Sequence, residues 1–245
     1  MEPKIVLMDR EFSRESLGEL DALDLRNIKD GSWEIILSTC KAVDLRLYHI
    51  MLQSLDGIEH LQTTARLSME WANKVTDLSP VFKMSWLKYL FLSDFPKLAN
   101  IEGIASLQNL TELHLSGNRG SLQPPLRMVS VQPISKLSNL ETLTLMNIRL
   151  ENDDITFLAS LPKLRDLSVA INGFDRKQFA YLAKRLNPQL ESPITASKKT
   201  NSSCPKCGNS FFFFIGKRMP YLCRSCEKDR FEKLALQFEN LMAAS

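Results

Sequence analysis

The sequence predicts an α/β solenoid with a parallel concave sheet, followed by a small C-terminal module built from a β-hairpin and a helix. A leucine register that recurs seven times between residues 20 and 190 predicts the first part. Two Cys-x-x-Cys pairs with 15 residues between them predict the second. Composition agrees, since 245 residues at 44% hydrophobic and 24% charged can bury a sizeable core and are not disordered over most of their length.

Residues 1–19 read as an N-terminal cap. The start Met-Glu-Pro-Lys-Ile-Val-Leu-Met-Asp sets acidic residues beside a short apolar run, unlike the basic head and long apolar stretch of a secretory signal. No window approaches 18 consecutive apolar residues, so neither a membrane span nor a membrane partner is expected, and the cytoplasm is the expected location. Five cysteines are too few for a disulfide scaffold, and four of them cluster in the tail, which fits a reducing compartment and a metal.

The repeats fill residues 20–190. The pattern apolar-x-x-apolar-x-apolar starts at Leu20, Ala42, Thr64, Leu87, Leu110, Leu140 and Leu164, at intervals of 22, 22, 23, 23, 30 and 24 residues. Each unit supplies a short strand whose alternate side chains, such as Leu113 and Leu115, point inward, then a turn and a returning segment. A single unit cannot bury that face, but stacked units share one continuous core. The stretch Ile101-Glu-Gly-Ile-Ala-Ser-Leu-Gln-Asn-Leu-Thr-Glu-Leu-His-Leu-Ser-Gly-Asn118 resembles the leucine-rich repeat family, in particular its short 22-residue class known from internalins and a phosphatase regulator. The resemblance implies a horseshoe with a concave parallel sheet. The family's turn asparagine stands only at Asn118 and Asn172, whereas Ile28, Ile50, Ala72, Phe95 and Ile148 hold the matching positions, so those turns are expected to lack the usual capping ladder.

The fifth repeat is long because of residues 119–136. Pro124, Pro125 and Pro133 argue against regular helix or central strand there, and a tolerated surface loop is the expectation. Loops of this kind also carry contacts in many proteins.

Between the buried leucines, the other strand residues project from the concave face in columns. The register brings Arg46, Tyr48, Arg66, Tyr89, Phe91 and His114 together, with Trp71 at the rim. Aromatic and arginine side chains dominate binding energy at protein interfaces, which makes this a candidate contact patch for a protein partner. The alternative is an inert sheet on which Tyr89 and Phe91 pack together among solvated charges. The chain reads as no enzyme. His49, His60 and His114 stand outside any metal-helix spacing, and no nucleophile elbow, phosphate loop or dinucleotide fingerprint occurs. Cys40 reads as a small buried hydrophobe.

Residues 191–203 are polar and read as a linker. The module spans 204–245. Cys204, Cys207, Cys223 and Cys226 carry the spacing of a closed tetrahedral zinc site, one structural Zn2+ per chain. The excursion Phe211-Phe-Phe-Phe-Ile215, turn, Tyr221-Leu222 reads as a hairpin. Phe231, Leu234, Ala235, Phe238, Leu241 and Met242 then form one helical stripe. Knuckle, hairpin and helix resemble a treble-clef zinc finger more than a plain zinc ribbon. Such a module either caps the solenoid or adds a second contact. Residues 1–190 carry a net −1 and 191–245 a net +4, so nucleic-acid binding through Lys198, Lys199, Lys206, Lys217, Arg218, Arg224, Lys228 and Arg230 is the alternative function. A ubiquitin-ligase finger with two metals would need about eight ligands, which the tail does not supply.

Overall fold

A computed structural model describes residues 2–118 and 125–245. Its centre is a parallel sheet of eight strands in the order β1-β2-β3-β4-β5-β6-β8-β10, among the described residues. The strands are β1 (Lys4–Leu7), β2 (Ala22–Ile28), β3 (Asp44–Ile50), β4 (Arg66–Glu70), β5 (Tyr89–Ser93), β6 (Glu112–Ser116), β8 (Thr142–Met146) and β10 (Asp166–Val169). All seven repeat strands are present and run the same way. The architecture is an α/β solenoid, its concave parallel sheet about 34 Å long at the usual strand spacing. The cap contributes a strand of its own, β1, which pairs with β2 through Lys4↔Leu23 to Leu7↔Arg26.

The core follows from the register. Leu23 and Leu25, Leu45 and Leu47, Leu67 and Met69, Leu90 and Leu92, Leu113 and Leu115, and Leu143 and Leu145 are all buried on the inner side of the sheet. The returning segments complete it. Ile101, Ile104, Leu107 and Leu110 recur every third residue and are fully buried, and a spacing of three aligns side chains on a 3-10 turn rather than an α-helix. Such turns span Ile58–His60, Glu102–Ser106, Gln132–Lys136 and Thr156–Ser160. Short or regular α-helices stand in the returning segments at α1 (Glu15–Glu19), α2 (Asp30–Thr39), α3 (Ser79–Phe82) and α4 (Arg176–Leu186), α3 keeping the three-residue spacing of Leu78, Val81 and Met84.

The least regular repeat openings are accommodated by small buried groups. Ala42 and Thr64 are both fully buried, and the Thr64 hydroxyl donates to the Ala42 carbonyl at 2.8 Å. Trp86 Nε1 donates in turn to the Thr64 carbonyl at 3.0 Å.

The apolar turn positions are met by a backbone device. The residue just before each one adopts a left-handed conformation: Asn27 (φ 63°), His49 (56°), Trp71 (58°), Asp94 (61°) and Asn147 (48°). That reversal turns Ile28, Ile50, Ala72 and Phe95 into the core. Main-chain bonds then tie neighbouring turns, Ile50 N to Trp71 O at 3.0 Å and Ala72 N to Asp94 O at 3.0 Å. A backbone ladder thus stands where the family's asparagine side chains would. The left-handed region costs about 1–2 kcal/mol for an ordinary L-residue, so packing has to hold His49 and Trp71 there.

Two expectations need correction. Within 119–136, residues 119–124 lie outside the described residues, but the remainder is not a plain loop. Strand β7 (Leu126–Met128) pairs in parallel with β9 (Ile148–Leu150), and Pro133 opens the 3-10 turn Gln132–Lys136. Leu126 and Met128 are buried, which explains why this segment is held. The expected linker also contains strand β11 (Ser197–Ser203), antiparallel to β12 (Ser210–Phe214), which pairs with β13 (Tyr221–Cys223). Its polar sequence misleads because an edge strand with one wet face needs little apolar patterning.

The module packs on the last repeat. Helix α5 (Lys228–Ala244) carries the expected stripe, but the stripe serves two cores. Phe231 joins Phe214 and Leu222 in the module's own small cluster, while Phe238 joins the solenoid core, with Leu241 and Met242 against it. Ile215 at the end of the phenylalanine run is also part of the solenoid core. Arg176 of α4 donates to the Leu234 carbonyl at 2.5 Å, and Lys217 is paired with Asp153. No helix among the described residues is long and apolar enough to cross a membrane.

Candidate functional site

The concave face presents the side chains that strand alternation leaves outside the core. Register sets their neighbours: Asp24↔Arg46↔Ser68↔Phe91↔His114 form one row, and Asp44↔Arg66↔Tyr89↔Glu112 the next. All seven residues expected in the patch lie along this face or its rim.

The arginines are held by their neighbours. Arg46 Nη1 lies 2.6 Å from Asp24 and its Nε 2.8 Å from Glu70, with the guanidinium 4.9 Å from the centre of the Tyr48 ring. Arg26 shares the same Asp24 Oδ2 at 2.7 Å and donates through Nε to Oδ1 at 3.1 Å, so the buried Asp24 carboxylate serves two cations. Burial opposes the charge on Arg46, but its two carboxylates outweigh this and raise its pKa. Arg66 is looser, 3.6 Å from Asp44 and 3.4 Å from Glu112, with its guanidinium 3.9 Å over the Tyr89 ring. Tyr89 and Phe91 both lean on His114, at 5.3 and 6.0 Å between ring centres. The rings converge on the imidazole rather than pack only on each other. Desolvation by these rings lowers the His114 pKa below its ordinary value, although Glu112 pulls the other way. His114 Nε2 and Glu112 stand 3.9 Å apart.

Trp71 stands at the rim, as expected, and His49 and Asp94 hold the equivalent turn position in the repeats on either side. His49 stacks against its indole at 4.0 Å and 17°, and Tyr48 meets it edge-on at 5.8 Å. His49 Nδ1 is bonded to Asn27 Oδ1 at 2.7 Å. The residues missed by sequence reasoning are therefore His49, Asn27 and Asp94 at the strand ends, and Asp24 and Glu70 as the anchors of Arg46. Asp24 and Glu70 were legible from column adjacency. The others form the next column, one residue beyond Arg26, Tyr48, Glu70 and Ser93, so their adjacency was legible too, while the left-handed turn that sets their side chains was not.

The second site is the cysteine cluster. Cys204 and Cys207 lie in the turn from β11 to β12, Cys223 ends β13, and Cys226 precedes α5. Their four Sγ atoms all lie within 4.8 Å of one another, with Cys204–Cys226 at 3.9 Å and Cys207–Cys223 at 3.4 Å. A tetrahedral zinc with about 2.3 Å bonds to sulfur spaces its ligands about 3.8 Å apart, so the donor set fits a metal ion of that kind. The backbone amide of Cys226 pulls the Cys223 thiol down to about 7, while its thiol neighbours, Cys207 first, push Cys226 up to about 12. Four converging sulfurs cannot all ionise without a cation among them. Cys40, by contrast, is buried and its thiol pushed up by that burial, in keeping with a core role.

No family model matches the chain. Solved structures similar to it are leucine-rich repeat proteins. Internalin C2 of Listeria monocytogenes is 22% identical, covering 61% of this chain and 62% of its own, with a TM-score of 0.43. A leucine-rich repeat protein of Leptospira interrogans is 21% identical over 66% of this chain and 45% of its own, at 0.46. A plant peptide hormone receptor in complex with RGF2 is 16% identical over 69% of this chain and 26% of its own, at 0.44. The chain thus spans less than two thirds of the length of these proteins.

Proposed function

We propose that the chain is a non-enzymatic recognition module that grips a protein partner on its concave face, and that its C-terminal module is a structural zinc finger of treble-clef type. One observation carries the first part: Arg46, Tyr48, Arg66, Trp71, Tyr89, Phe91 and His114 share one face, the arginines held over aromatic rings by carboxylates before any partner arrives. Pre-ordering of this kind reduces the side-chain entropy lost on binding. The domains proposed are a cap over 1–19, the solenoid over 20–190 and the finger over 204–245, with β11 bridging from 197 to 203.

Capture of partners from the native extract by the wild type and by an Arg66→Ala, Tyr89→Ala, Phe91→Ala triple variant tests the reading. Loss of a captured protein in the variant is the expected result, and an unchanged set of captured proteins would refute it. For the finger, four thiolates close the coordination sphere, so the metal's work is folding rather than chemistry. About one zinc per chain in the purified protein is expected, and a content well below that would remove the proposal. Free thiols and a thiolate metal site suit a reducing, cytoplasmic compartment.

The nucleic-acid alternative is less well supported. Of its candidate residues, Lys217 is paired with Asp153, Lys228 with Glu232 and Arg230 with Glu227, and Arg224 lies against the Phe231 ring at 5.6 Å. Lys198, Lys199, Lys206 and Arg218 remain exposed, Lys198 on β11 in one row with Phe213 of β12 and the exposed Tyr221 of β13. Binding that collapses with added salt would favour this alternative over the protein reading.

A further inference from the structure

The rim of the concave face holds a cleft of about 370 Å³ lined by Tyr48, Glu70, Trp71, Ser93, Asp94 and Asn118. Two kinds of group meet in it. Trp71 supplies an aromatic wall, 38% exposed although His49 covers part of it and Tyr48 buttresses its edge. Glu70 and Asp94 supply carboxylates, but they are not equivalent. Glu70 already shares one oxygen with Arg46. Asp94 is half-buried, accepts an amide bond from Asn118 at 3.1 Å, and pairs with no cation among the described residues.

A carboxylate in such a setting, beside an indole with free area, is complementary to a cation with an apolar or planar body. Tyr48 does not compete for it, because its ring already faces Arg26 at 5.4 Å and Arg46 at 4.9 Å. The same face shows the pairing elsewhere: Arg66 lies over Tyr89 with carboxylates at its edge. The cleft offers that arrangement with no arginine in place among the described residues.

We propose that this cleft receives an arginine side chain of the protein partner, its guanidinium laid against Trp71 and its N–H groups donated to Asp94 and the free oxygen of Glu70. The proposal rests on the concave-face reading and specifies one anchor within it. Guanidinium is favoured over ammonium because it stacks on a ring and forks onto a carboxylate at once. Both Trp71 and Asp94 sit at left-handed turns, which set them at the strand ends facing the cleft rather than in the strand rows.

The test needs no knowledge of the partner. The peptide acetyl-Gly-Arg-Gly-amide is titrated into the 245-residue chain while the indole N–H signal of Trp71, assigned with Trp71→Phe, is followed by NMR. Saturable movement is expected at millimolar peptide, as befits a single side chain contributing about 4 kcal/mol. The isosteric but uncharged citrulline peptide should fail to saturate it, the lysine peptide should bind more weakly, and Asp94→Asn should weaken arginine binding about tenfold. Asparagine tolerates the left-handed backbone of position 94, so this variant keeps its fold, and Glu70→Gln provides a second reading with a smaller expected loss. Equal response to citrulline, tighter binding of lysine, indifference to Asp94→Asn, or no movement of Trp71 would each overturn the proposal. Partner capture is scored separately through Arg66, Tyr89 and Phe91. The peptide result therefore stands whether or not those residues prove to hold the partner.

Discussion

Single side chains on this scaffold act through what they touch in adjacent rungs. His114 is the clearest titrating case. Its folded pKa lies below the ordinary 6.5 because Tyr89 and Phe91 desolvate it. A base with a depressed pKa takes up its proton more readily when unfolded, so its share of stability is complete above about 6.5 and is lost as pH falls through the depressed value. Urea denaturation at pH 7.5 and 5 should show a stability loss on acidification that shrinks in His114→Gln. An undiminished loss would place the sensitivity elsewhere. Thr64 is the second case. Its hydroxyl satisfies the Ala42 carbonyl inside the core, and Thr64→Val, nearly equal in shape, should cost about 1–3 kcal/mol by leaving that contact unmade. An unchanged melting temperature would mean the carbonyl finds another donor.

At the level of elements, α5 is the member whose role was only half visible. Its apolar stripe from Phe231 to Met242 was legible from the 3.6-residue period. That the stripe divides between the module and the solenoid core was not, because one helical face looks the same whichever partner covers each turn. The division predicts different outcomes for two similar truncations. Phe238→Ala should cost about 3–5 kcal/mol of solenoid stability and raise hydrogen exchange in α4. Phe231→Ala should loosen the module and weaken its hold on metal while leaving the early repeats protected. Equal exchange profiles for the two would mean that α5 belongs to one core alone. Strand β11 carries the complementary lesson: Ser, Lys, Thr and Asn give no alternating pattern, yet main-chain pairing to β12 needs none.

Across the whole molecule, the module stands at the β10 end of the stack. In a solenoid each rung is stabilised by its neighbours, so the last one needs a cover. Ile215, Phe238 and the Arg176 bond to Leu234 provide it. With the proposed metal held by the four cysteines, a strong chelator, or Cys204→Ser with Cys226→Ser, should therefore lower the melting temperature of the solenoid as well as unfold the C-terminal module. Hydrogen exchange should rise from β10 and α4 inward while β2 and β3 stay protected. A solenoid indifferent to chelation would show that the apolar contact alone serves as its end cap.

The repeat register, the inward leucines, the rows of the concave face and the four cysteines were all legible in the linear chain, because each rests on a periodicity or spacing that local geometry enforces. The eighth strand, the left-handed turn column, β7 with β9, and β11 were not. Each is held by backbone pairing or by packing between residues far apart in sequence, and Ile5, Leu126 or Lys199 look the same in a loop as in a strand. Trp71 shows the division best. Alternation puts it at the rim and the repeat interval makes His49 and Asp94 its neighbours, but only the fold stacks the imidazole on its indole and opens the cleft that Trp71 and Asp94 both line, and that arrangement is what makes it a candidate anchor.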